Sequence, residues 1–413
     1  MQGRGQGDPL GAAASRRKLL AGAGALATLA ASGLAKAETT VRLPLPDRPD
    51  LRPITTAFPQ KGAMILQRSR APLLETPFDV FDQGTFTPND RFYVRWHWPM
   101  PSEVDAVQFR LTVGGHVERP LALSLADLIA LPAVEMAAVN QCSGNSRGFF
   151  EPAIPGGQWG NGAMGNALWR GVRLKDVLDR AGVKAGAVAV RFGGLEEPVV
   201  PDAPAFRKSL SVEHARDGEV LIAYAMNGAP LPLLNGFPLR LVVPGWFATY
   251  WVKMLDSIEV LDRPDDNFWM AKAYLIPDTP RADIKPGAHG VKQVPIGRML
   301  PRSFITNLAP GSRVGVGAPQ LARGVAFGGD AGVARVEFST DGGMTWQAAE
   351  LGADEGTYGF RRWQGHFTPA AAGEVRLAVR CTNTSGEGQP ATPNWNPGGY
   401  MRNVIETVTV TAA

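Results

Sequence analysis

The sequence lacks most of the motifs that would assign a common function at first sight. It has only two cysteines in 413 residues and contains no CxxC pair, CxxCH, HExxH or EF-hand loop. These absences exclude covalent c-type haem in this chain and the commonest zinc and calcium sites. Charged residues are also scarce, at 19% against 45% hydrophobic residues. Such a composition excludes an intrinsically disordered protein and indicates a chain that can bury a core.

An excess of charge of either sign is also missing once the first 37 residues are set aside. The formal net charge of +4 arises from 42 basic and 38 acidic residues. Removing the five basic residues and the single Asp8 of residues 1–37 leaves 37 of each sign. A neutral chain has no general attraction to nucleic acid or to an anionic membrane, so neither is expected as a partner.

The first 37 residues have the pattern of an export signal. Arg16 and Arg17 precede a weakly apolar run of alanine, glycine and leucine, which ends in Ala35-Lys36-Ala37. This pattern predicts a twin-arginine signal peptide over residues 1–37 and a periplasmic location. An uncleaved membrane anchor is the alternative, but the run is short for a membrane span. Because the twin-arginine route carries folded proteins, the signal also favours a cofactor that is inserted before export.

The rest of the chain falls into three stretches. Residues 38–77 are rich in proline and predict an extended arm. Residues 78–285 mix short strands with short amphipathic helices at Leu123–Ile129 and Leu174–Ala181. Residues 286–413 carry regular short strands with no helical pattern. The predicted fold class is therefore α+β, with a mixed α/β domain over 78–285 and an antiparallel immunoglobulin-like β-sandwich over 286–413.

The sandwich prediction depends mainly on one hairpin signal. The segment 335–339 alternates apolar and polar residues, Asp341-Gly342-Gly343 supplies turn residues, and a second short strand resumes near Thr345. Alternation on both sides of a glycine-containing turn is typical of a β-hairpin.

The two cysteines occur in different contexts. Cys381 ends the alternating segment 375–381, which is typical of a small buried residue in a strand. Cys142 lies in the polar, turn-prone segment 140–148, NQCSGNSRG. A disulfide between them is the simplest interpretation in an oxidising compartment. The polar surroundings of Cys142 suit a metal ligand or a nucleophile better.

Several other polar residues interrupt apolar segments. Each has an ordinary explanation, either aromatic packing or a long side chain that reaches solvent along an apolar surface. Each could also bind an anion, because arginine, lysine, histidine and tyrosine all donate hydrogen bonds to oxyanions. These candidates are Arg95, His97, Tyr224, Arg240, Lys253 and the adjacent pair Arg361 and Arg362.

Taken together and in order, these segments resemble the sulfite oxidase family of molybdenum enzymes, in particular its bacterial periplasmic sulfite dehydrogenases. The matching segments are RWHWPMP, NQCSGNSRG, WGNGAMGNALWRGV, AYAMNGAPLP, GFPLRLVVPG, VKML, FSTDGGMTW, RRWQ and NWNPGGYMRN. The resemblance extends from about residue 80 to the end of the chain. It implies a molybdopterin-binding domain followed by an immunoglobulin-like domain that often forms dimers.

The resemblance also implies roles for particular residues. Cys142 would be the thiolate ligand of molybdenum in a molybdenum–molybdopterin cofactor. The residues that would line the substrate pocket are Arg95, Tyr224 and Arg361. The residues that would hold the pterin and its phosphate are His97, Ser143, Arg240 and Lys253.

The implied activity is the oxidation of sulfite to sulfate by oxygen-atom transfer at the cofactor. No haem domain is expected before the molybdenum domain, because this sequence has neither room nor a motif for one, so electrons are expected to pass to a separate c-type cytochrome. A homodimer or a heterodimer with a cytochrome subunit is expected. The alternatives are a sulfur dehydrogenase subunit of a thiosulfate-oxidising complex, a related molybdenum reductase, and a secreted immunoglobulin-like binding module without a metal.

Overall fold

A computed structural model describes residues 39–413, and the predicted signal peptide lies outside them. No helix in this described range is long and apolar enough to span a membrane. The chain there is mostly strands, and its four α-helices are short. They are α1 (Leu125–Ile129), α2 (Leu174–Ala181), α3 (Val212–Ala215) and α4 (Phe268–Ala271).

Residues that the sequence assigns to an extended arm form most of a five-stranded antiparallel sheet. Its strands, in sheet order, are β1 (Thr40–Arg42), β2 (Leu51–Thr55), β3 (Met64–Arg68), β4 (Leu73–Glu75) and β5 (Val94–Arg95). Each strand is short because proline and turn residues interrupt the segment. The sheet matters for the site because its last strand ends at Arg95.

Two further sheets complete the region before the sandwich. One sheet has the order β11-β10-β15-β6-β7, and these strands are β6 (Arg110–Gly115), β7 (Leu121–Ser124), β10 (Ala189–Gly194), β11 (Arg207–Ser211) and β15 (Leu255–Leu261). The other has the order β13-β12-β9-β8 with β14 also paired to β12, and these strands are β8 (Ala133–Gln141), β9 (Met164–Arg173), β12 (Leu221–Met226), β13 (Ala229–Pro230) and β14 (Arg240–Val242).

The predicted helices form where the sequence has capping residues. Ser124 caps α1: its hydroxyl accepts from the backbone N–H of Asp127, and its own backbone N–H donates to the Asp127 carboxylate. Helix α2 ends at Gly182, whose φ of 72° is the left-handed conformation that favours glycine. Four buried residues of α2 pack its inner face against the core, namely Leu174, Val177, Leu178 and Ala181.

The C-terminal region is a β-sandwich, as predicted. A small pair, β16 (Leu275–Pro277) and β17 (Gln293–Pro295), precedes it and straddles the predicted boundary at residue 285. One sheet has the order β18-β20-β24-β23, with β18 (Arg302–Ile305), β20 (Gln320–Phe327), β23 (Glu350–Leu351) and β24 (Arg361–Phe367). The other has the order β19-β26-β25-β21-β22, with β19 (Arg313–Val314), β21 (Val333–Ser339), β22 (Gln347–Ala348), β25 (Gly373–Asn383) and β26 (Glu406–Ala412).

The predicted hairpin is confirmed, since β21 and β22 pair antiparallel across the turn. The sandwich also packs against the preceding sheets. Arg323 of β20 forms an ion pair with Asp82, with 2.6 Å between Nη2 and Oδ2, and the Thr306 hydroxyl donates to the same carboxylate at 3.0 Å. A continuous apolar core includes Phe304 and Phe327 of the sandwich together with residues of the earlier sheets.

Candidate active site

Cys142 lies on a loop that leaves the end of β8. Its backbone N–H donates to the carbonyl of Ala163 at 2.9 Å, and its carbonyl accepts from the N–H of Asn145 at 2.9 Å. The Asn145 side chain accepts in turn from the Ala163 N–H at 3.0 Å. We call residues 140–148 the cysteine loop. It is fixed to the segment that opens β9, so the position of the Cys142 thiol is set by backbone hydrogen bonds.

A buried carboxylate, that of Glu75, supports the cysteine loop indirectly, through the segment 160–162. Glu75, at the end of β4, accepts hydrogen bonds from the N–H groups of Gly160 at 3.1 Å and Gly162 at 2.9 Å. Burial raises the pKa of Glu75, while these N–H donors oppose that rise. A Cβ on Gly162 would lie 2.1 Å from the Thr76 carbonyl, so only glycine fits there. The Gly160 carbonyl then accepts from the N–H of Ser146 at 2.8 Å, which ties β4 to the cysteine loop.

Beside Cys142 is a cavity that we call the inner cavity. Two of its lining residues lie in strands, Arg95 in β5 and Arg240 in β14, and the others lie outside the strands. Its lining residues are Tyr93, Arg95, His97, Cys142, Ser143, Phe206, Arg240, Ala248, Thr249, Trp251, Lys253 and Tyr274.

Several buried polar atoms at the inner cavity have no hydrogen-bond partner. They are Arg95 Nη1, His97 Nδ1, Ser143 Oγ, Arg240 Nε and Thr249 Oγ1. Buried polar groups are nearly always paired in native proteins, so a concentration of unpaired donors around one cavity indicates a polar ligand.

Besides Arg95, two buried cations lie in the wall of the inner cavity. Burial lowers the pKa of Arg240 to about 10 and that of Lys253 to about 7. Arg240 donates to the Asn140 side chain at 3.2 Å, which leaves its Nε free. The Lys253 ammonium lies 4.3 Å from the centre of the Trp96 ring. An anion in the cavity would raise both pKa values, so the wall suits an anionic group.

His97 is held rigidly between the cavity and the protein interior. Its ring stacks on Phe206 at 3.7 Å between centroids, and its Nε2 lies 2.6 Å from the Tyr274 hydroxyl. The buried carboxylate of Glu196 accepts from the backbone N–H groups of His97 and Trp98, both at 3.0 Å. Burial and the charge of Arg95 lower the pKa of His97 to about 3, so the imidazole is neutral at pH 7.

A second cavity, the outer cavity, shares Arg95, Cys142 and Tyr274 with the inner one and has a volume of about 370 Å³. Within residues 39–413, its wall contains three guanidinium groups, those of Arg68, Arg95 and Arg147, and no carboxylate. The complete lining is Arg68, Leu73, Arg95, Cys142, Gly144, Arg147, Pro155, Gly156, Gly157, Trp159, Tyr274, Pro397, Gly398 and Tyr400. A small anion that entered this cavity would lie beside the Cys142 thiol.

Arg147 is fixed in the outer cavity by the C-terminal tail of the chain. Its Nη2 donates to the Gly398 carbonyl at 2.9 Å, and its guanidinium lies 5.1 Å from the centre of the Tyr400 ring. A Cβ at Gly144 would lie 2.5 Å from Arg147 Nη2, and one at Gly156 would lie 2.9 Å from its Nη1. The surrounding glycines therefore leave the space that the guanidinium occupies.

Tyr274 lies between the two cavities. Its ring stacks on Tyr400 at 5.6 Å, and the Arg95 guanidinium lies 5.9 Å from its centre. Burial raises the pKa of Tyr274, so its hydroxyl stays protonated at neutral pH and can donate a hydrogen bond. This phenol lies where the sequence analysis expects Tyr224.

The structure brings six of the eight predicted site residues together. Arg95, His97, Cys142, Ser143, Arg240 and Lys253 all line the inner cavity. The placement of the other two is corrected, because neither Tyr224 nor Arg361 lines either cavity. Tyr224 lies at a register shift in β12, between Ala223 and Ala225, and its hydroxyl interacts with the Arg170 side chain, which raises the pKa of that arginine. Arg361 forms an ion pair with Asp354, and neither residue lines the two cavities.

Among the cavity residues that the predicted set lacks are Arg147 and Tyr274. Arg147 belongs to the cysteine loop, five residues after Cys142, and a basic residue so near a candidate ligand was an available signal. Tyr274 offered no such signal, because it follows α4 in a segment without a motif. Its φ of 57° is a left-handed conformation that the sequence does not announce.

Two family models match this chain. A model described as an oxidoreductase molybdopterin binding domain matches residues 97–269, and one described as a Mo-co oxidoreductase dimerisation domain matches residues 294–413. Both cavities draw residues from the first range, and the outer cavity also includes the tail residues Gly398 and Tyr400 from the second.

Similar proteins include sulfite oxidases and one solved dehydrogenase. Sulfite oxidase of Gallus gallus is 32% identical, covering 88% of this chain and 80% of that protein. Mitochondrial sulfite oxidase of Mus musculus is 35% identical over 81% of this chain, but the chain spans only 63% of the mouse protein. The structure of the sulfane dehydrogenase SoxCD from Paracoccus pantotrophus gives a TM-score of 0.70 at 27% identity, covering 81% of this chain and 83% of that one.

Proposed function

Because this chain belongs to the sulfite oxidase family, we propose that it binds a molybdenum–molybdopterin cofactor and oxidises sulfite to sulfate. The observation that carries the proposal is the position of Cys142 between two adjoining cavities. The inner cavity has unpaired buried donors, and the outer cavity has three guanidinium groups. Unpaired buried donors suit a polar cofactor, and guanidinium groups suit a small anion such as sulfite.

The residues of the inner cavity fit a phosphorylated pterin that carries molybdenum. Arg240 and Lys253 supply positive charge for a phosphate, and Ser143 Oγ, Arg240 Nε and Thr249 Oγ1 have no other partner. The Cys142 thiolate would be a suitable soft ligand for the metal. When bound, the cofactor supplies oxygen-atom transfer and two-electron redox chemistry.

The outer cavity would bind and orient sulfite. Arg95 and Arg147 would hold two of its oxygens through charge-assisted hydrogen bonds, which turns the sulfur toward Cys142. The protonated Tyr274 hydroxyl would donate to a third oxygen or to the product. Since His97 is neutral and its Nε2 lies 2.6 Å from that hydroxyl, an N–H at Nε2 would donate to the Tyr274 oxygen and orient the phenol for donation to sulfite.

The electron acceptor is proposed to be a c-type cytochrome in the periplasm. The twin-arginine pattern of residues 1–37 supports export of the folded chain. The match of residues 294–413 to a dimerisation domain supports a homodimer, and a heterodimer with a cytochrome subunit is the other assembly proposed.

The first test is sulfite-dependent reduction of cytochrome c by the full chain, with molybdenum measured on the same sample. Protein from a host that makes molybdopterin is expected to contain about one molybdenum per chain and to be active. Protein from a host that cannot make molybdopterin is the matched control and should be inactive. Stoichiometric molybdenum without sulfite activity would refute the proposed substrate, and protein without molybdenum from the competent host would refute the cofactor.

A second candidate is oxidation of sulfane sulfur carried by a partner, as a subunit of a thiosulfate-oxidising complex. The similarity to the sulfane dehydrogenase structure, at a TM-score of 0.70, favours it. The two candidates separate when sulfite alone is compared with thiosulfate supplied together with sulfur-carrier proteins. Activity only in the second mixture would select this candidate. A molybdenum reductase would instead show oxidation of a reduced dye by a sulfoxide or nitrate.

A further inference from the structure

The cysteine loop is held from the sandwich side by one buried arginine. Arg302, at the start of β18, is 1% exposed and donates from Nη1 to the Gln141 side chain at 3.2 Å. Its Nη2 donates to Ser146 Oγ at 3.0 Å and to a carboxylate oxygen of Glu406 at 2.6 Å. Gln141 precedes Cys142 directly, and Ser146 follows it by four residues. The guanidinium therefore holds the loop on both sides of the thiol.

The two loop residues that Arg302 contacts, Gln141 and Ser146, also form hydrogen bonds that stabilise the loop. Gln141 Oε1 accepts from the Asn145 side chain at 3.2 Å. Ser146 has a φ of 68°, a left-handed conformation that is unusual for serine, and its hydroxyl donates to Asn161 at 2.5 Å. Arg302 thus completes a closed network around a strained backbone turn, and strained turns persist only where the surroundings fix them.

Glu406 keeps the buried guanidinium in place. Its carboxylate also accepts from Arg402 at 3.0 Å, so it lies between two cations. Arg302 lines neither cavity. Any influence on the reaction would have to pass through the cysteine loop.

We propose that Arg302 is a positioning residue, supplied by the sandwich, that fixes the geometry of the Cys142 thiol. Its significance for catalysis rests on the proposed function, in which Cys142 is the metal ligand. The sandwich would then serve the active site directly, in addition to any role in assembly. An arginine suits this task because its rigid fork donates to three acceptors at once, which a lysine ammonium cannot match in fixed directions.

The chain offers a matched control for this contact. Arg323 also joins the sandwich to the earlier sheets, through its ion pair with Asp82. That contact involves no residue of the cysteine loop. Arg323→Met therefore removes a contact between the same two regions but should leave the thiol unaffected.

The experiment measures alkylation of each cysteine by iodoacetamide in the full chain prepared without molybdopterin, with the products mapped by mass spectrometry. In Arg302→Met, the rate at Cys142 is expected to rise about tenfold, because a less restrained loop exposes this residue, which is 9% exposed in the structure, more often. Cys381 is fully buried in the sandwich and reports any general unfolding. Arg323→Met should leave both rates unchanged, and Arg302→Lys should restore part of the protection at Cys142.

Each outcome decides the proposal. A Cys142 rate in Arg302→Met within about twofold of the wild type overturns it. If both cysteines react faster in Arg302→Met, the Arg302→Lys variant decides. Faster reaction of Cys142 alone in that variant supports the proposal, and any other result there overturns it. This measurement needs neither metal nor sulfite, so its failure is distinct from failure of the proposed function.

A second measurement uses the molybdenum-loaded enzyme. Arg302→Met is expected to lower kcat for sulfite and leave KM nearly unchanged, because the residue lies outside both cavities. A rise in KM with unchanged kcat would show that Arg302 acts on substrate binding, and would overturn the positioning role.

Discussion

The surroundings of Cys142 and those of Cys381 contrast two ways of burying a thiol. Cys142 lies on a loop beside cavities lined by arginine, lysine and histidine. Cys381 lies in β25, inside an apolar cluster of the sandwich with Phe338 and Leu377 among its members. Burial raises the pKa of Cys381 to about 12, so it is inert as a nucleophile or ligand at neutral pH.

The difference shows which kind of burial indicates function. Around Cys381 the neighbours are apolar, and its thiol donates weakly to the Phe327 carbonyl at 3.7 Å. Around Cys142 the protein has buried charged and polar groups and left several of their atoms unpaired. Burying such groups costs free energy unless a partner is supplied, so their concentration at one thiol is best explained by a bound ligand.

The largest expected effect separates the two cysteines. Cys142→Ser should lower sulfite oxidation to below about one thousandth, because it removes the proposed metal ligand. It should barely change stability. Cys381→Ser should keep activity but lower the free energy of unfolding by roughly 1–3 kcal/mol, since it places a hydroxyl in an apolar core. Sulfite turnover and chemical denaturation of both variants check this, and an active Cys142→Ser enzyme would contradict the assignment.

The next prediction separates two arginines. Arg147→Met should lower kcat/KM for sulfite about 10- to 100-fold, the loss expected for one charge-assisted hydrogen bond. Arg361→Met should change it little, because Arg361 is paired with Asp354 away from the cavities. Steady-state kinetics at low ionic strength make the measurement. A strong rise in KM for Arg361→Met alone would restore the sequence-based placement and remove Arg147 from the pocket.

A smaller effect is expected for two tyrosines. Tyr274→Phe should reduce kcat about tenfold, because the hydroxyl that contacts His97 at 2.6 Å is lost. Tyr224→Phe should have little effect on turnover, since Tyr224 lines neither cavity and its hydroxyl interacts with Arg170 of the adjacent strand β9. The pH profile of kcat in both variants is the measurement. An equal loss of kcat in Tyr274→Phe and Tyr224→Phe would contradict a specific role of the Tyr274 hydroxyl in the cavity.

How far the sequence predicted the molecule depends on the range of the interactions involved. The hairpin of β21 and β22 could be read from alternation and turn residues, because these are local properties. Cys142 could be identified from its polar loop and the family resemblance. The position of Arg361 could not be predicted, because its side chain forms an ion pair with Asp354, which lies seven residues earlier in the chain. Ion pairs of this kind depend on packing that spacing does not reveal.

The cavity walls show the same limit. Arg240 and Lys253 come from segments that the sequence singles out, and both prove to be buried cations at the inner cavity. The support given by Glu75 and Arg302 was not predicted, since each contacts the cysteine loop from a distant part of the chain. Long-range contacts through buried charged groups carry no periodic signal in sequence.

The last prediction tests whether the inner cavity binds an anion. In the chain without cofactor, Lys253 has a pKa of about 7, below the value of about 10.4 for an exposed lysine. Burial of the charged lysine therefore lowers the free energy of unfolding, and the whole of this destabilisation is present below pH 7. It decreases to zero as the pH rises from about 7 to about 10.4. Lys253→Gln should thus stabilise the chain more at pH 7 than at pH 9, by at most roughly 1.4 kcal/mol per pH unit.

Urea denaturation at the two pH values measures this difference, with Lys175→Gln as the control because Lys175 is exposed. In the cofactor-loaded enzyme a phosphate beside Lys253 would raise its pKa again, and the same substitution should then destabilise at both pH values. An identical effect of Lys253→Gln with and without cofactor would show that no anion binds beside this lysine. The wall of the inner cavity at Lys253 would then give no support for a charged ligand, and the contrast with the apolar core around Cys381 would fail there.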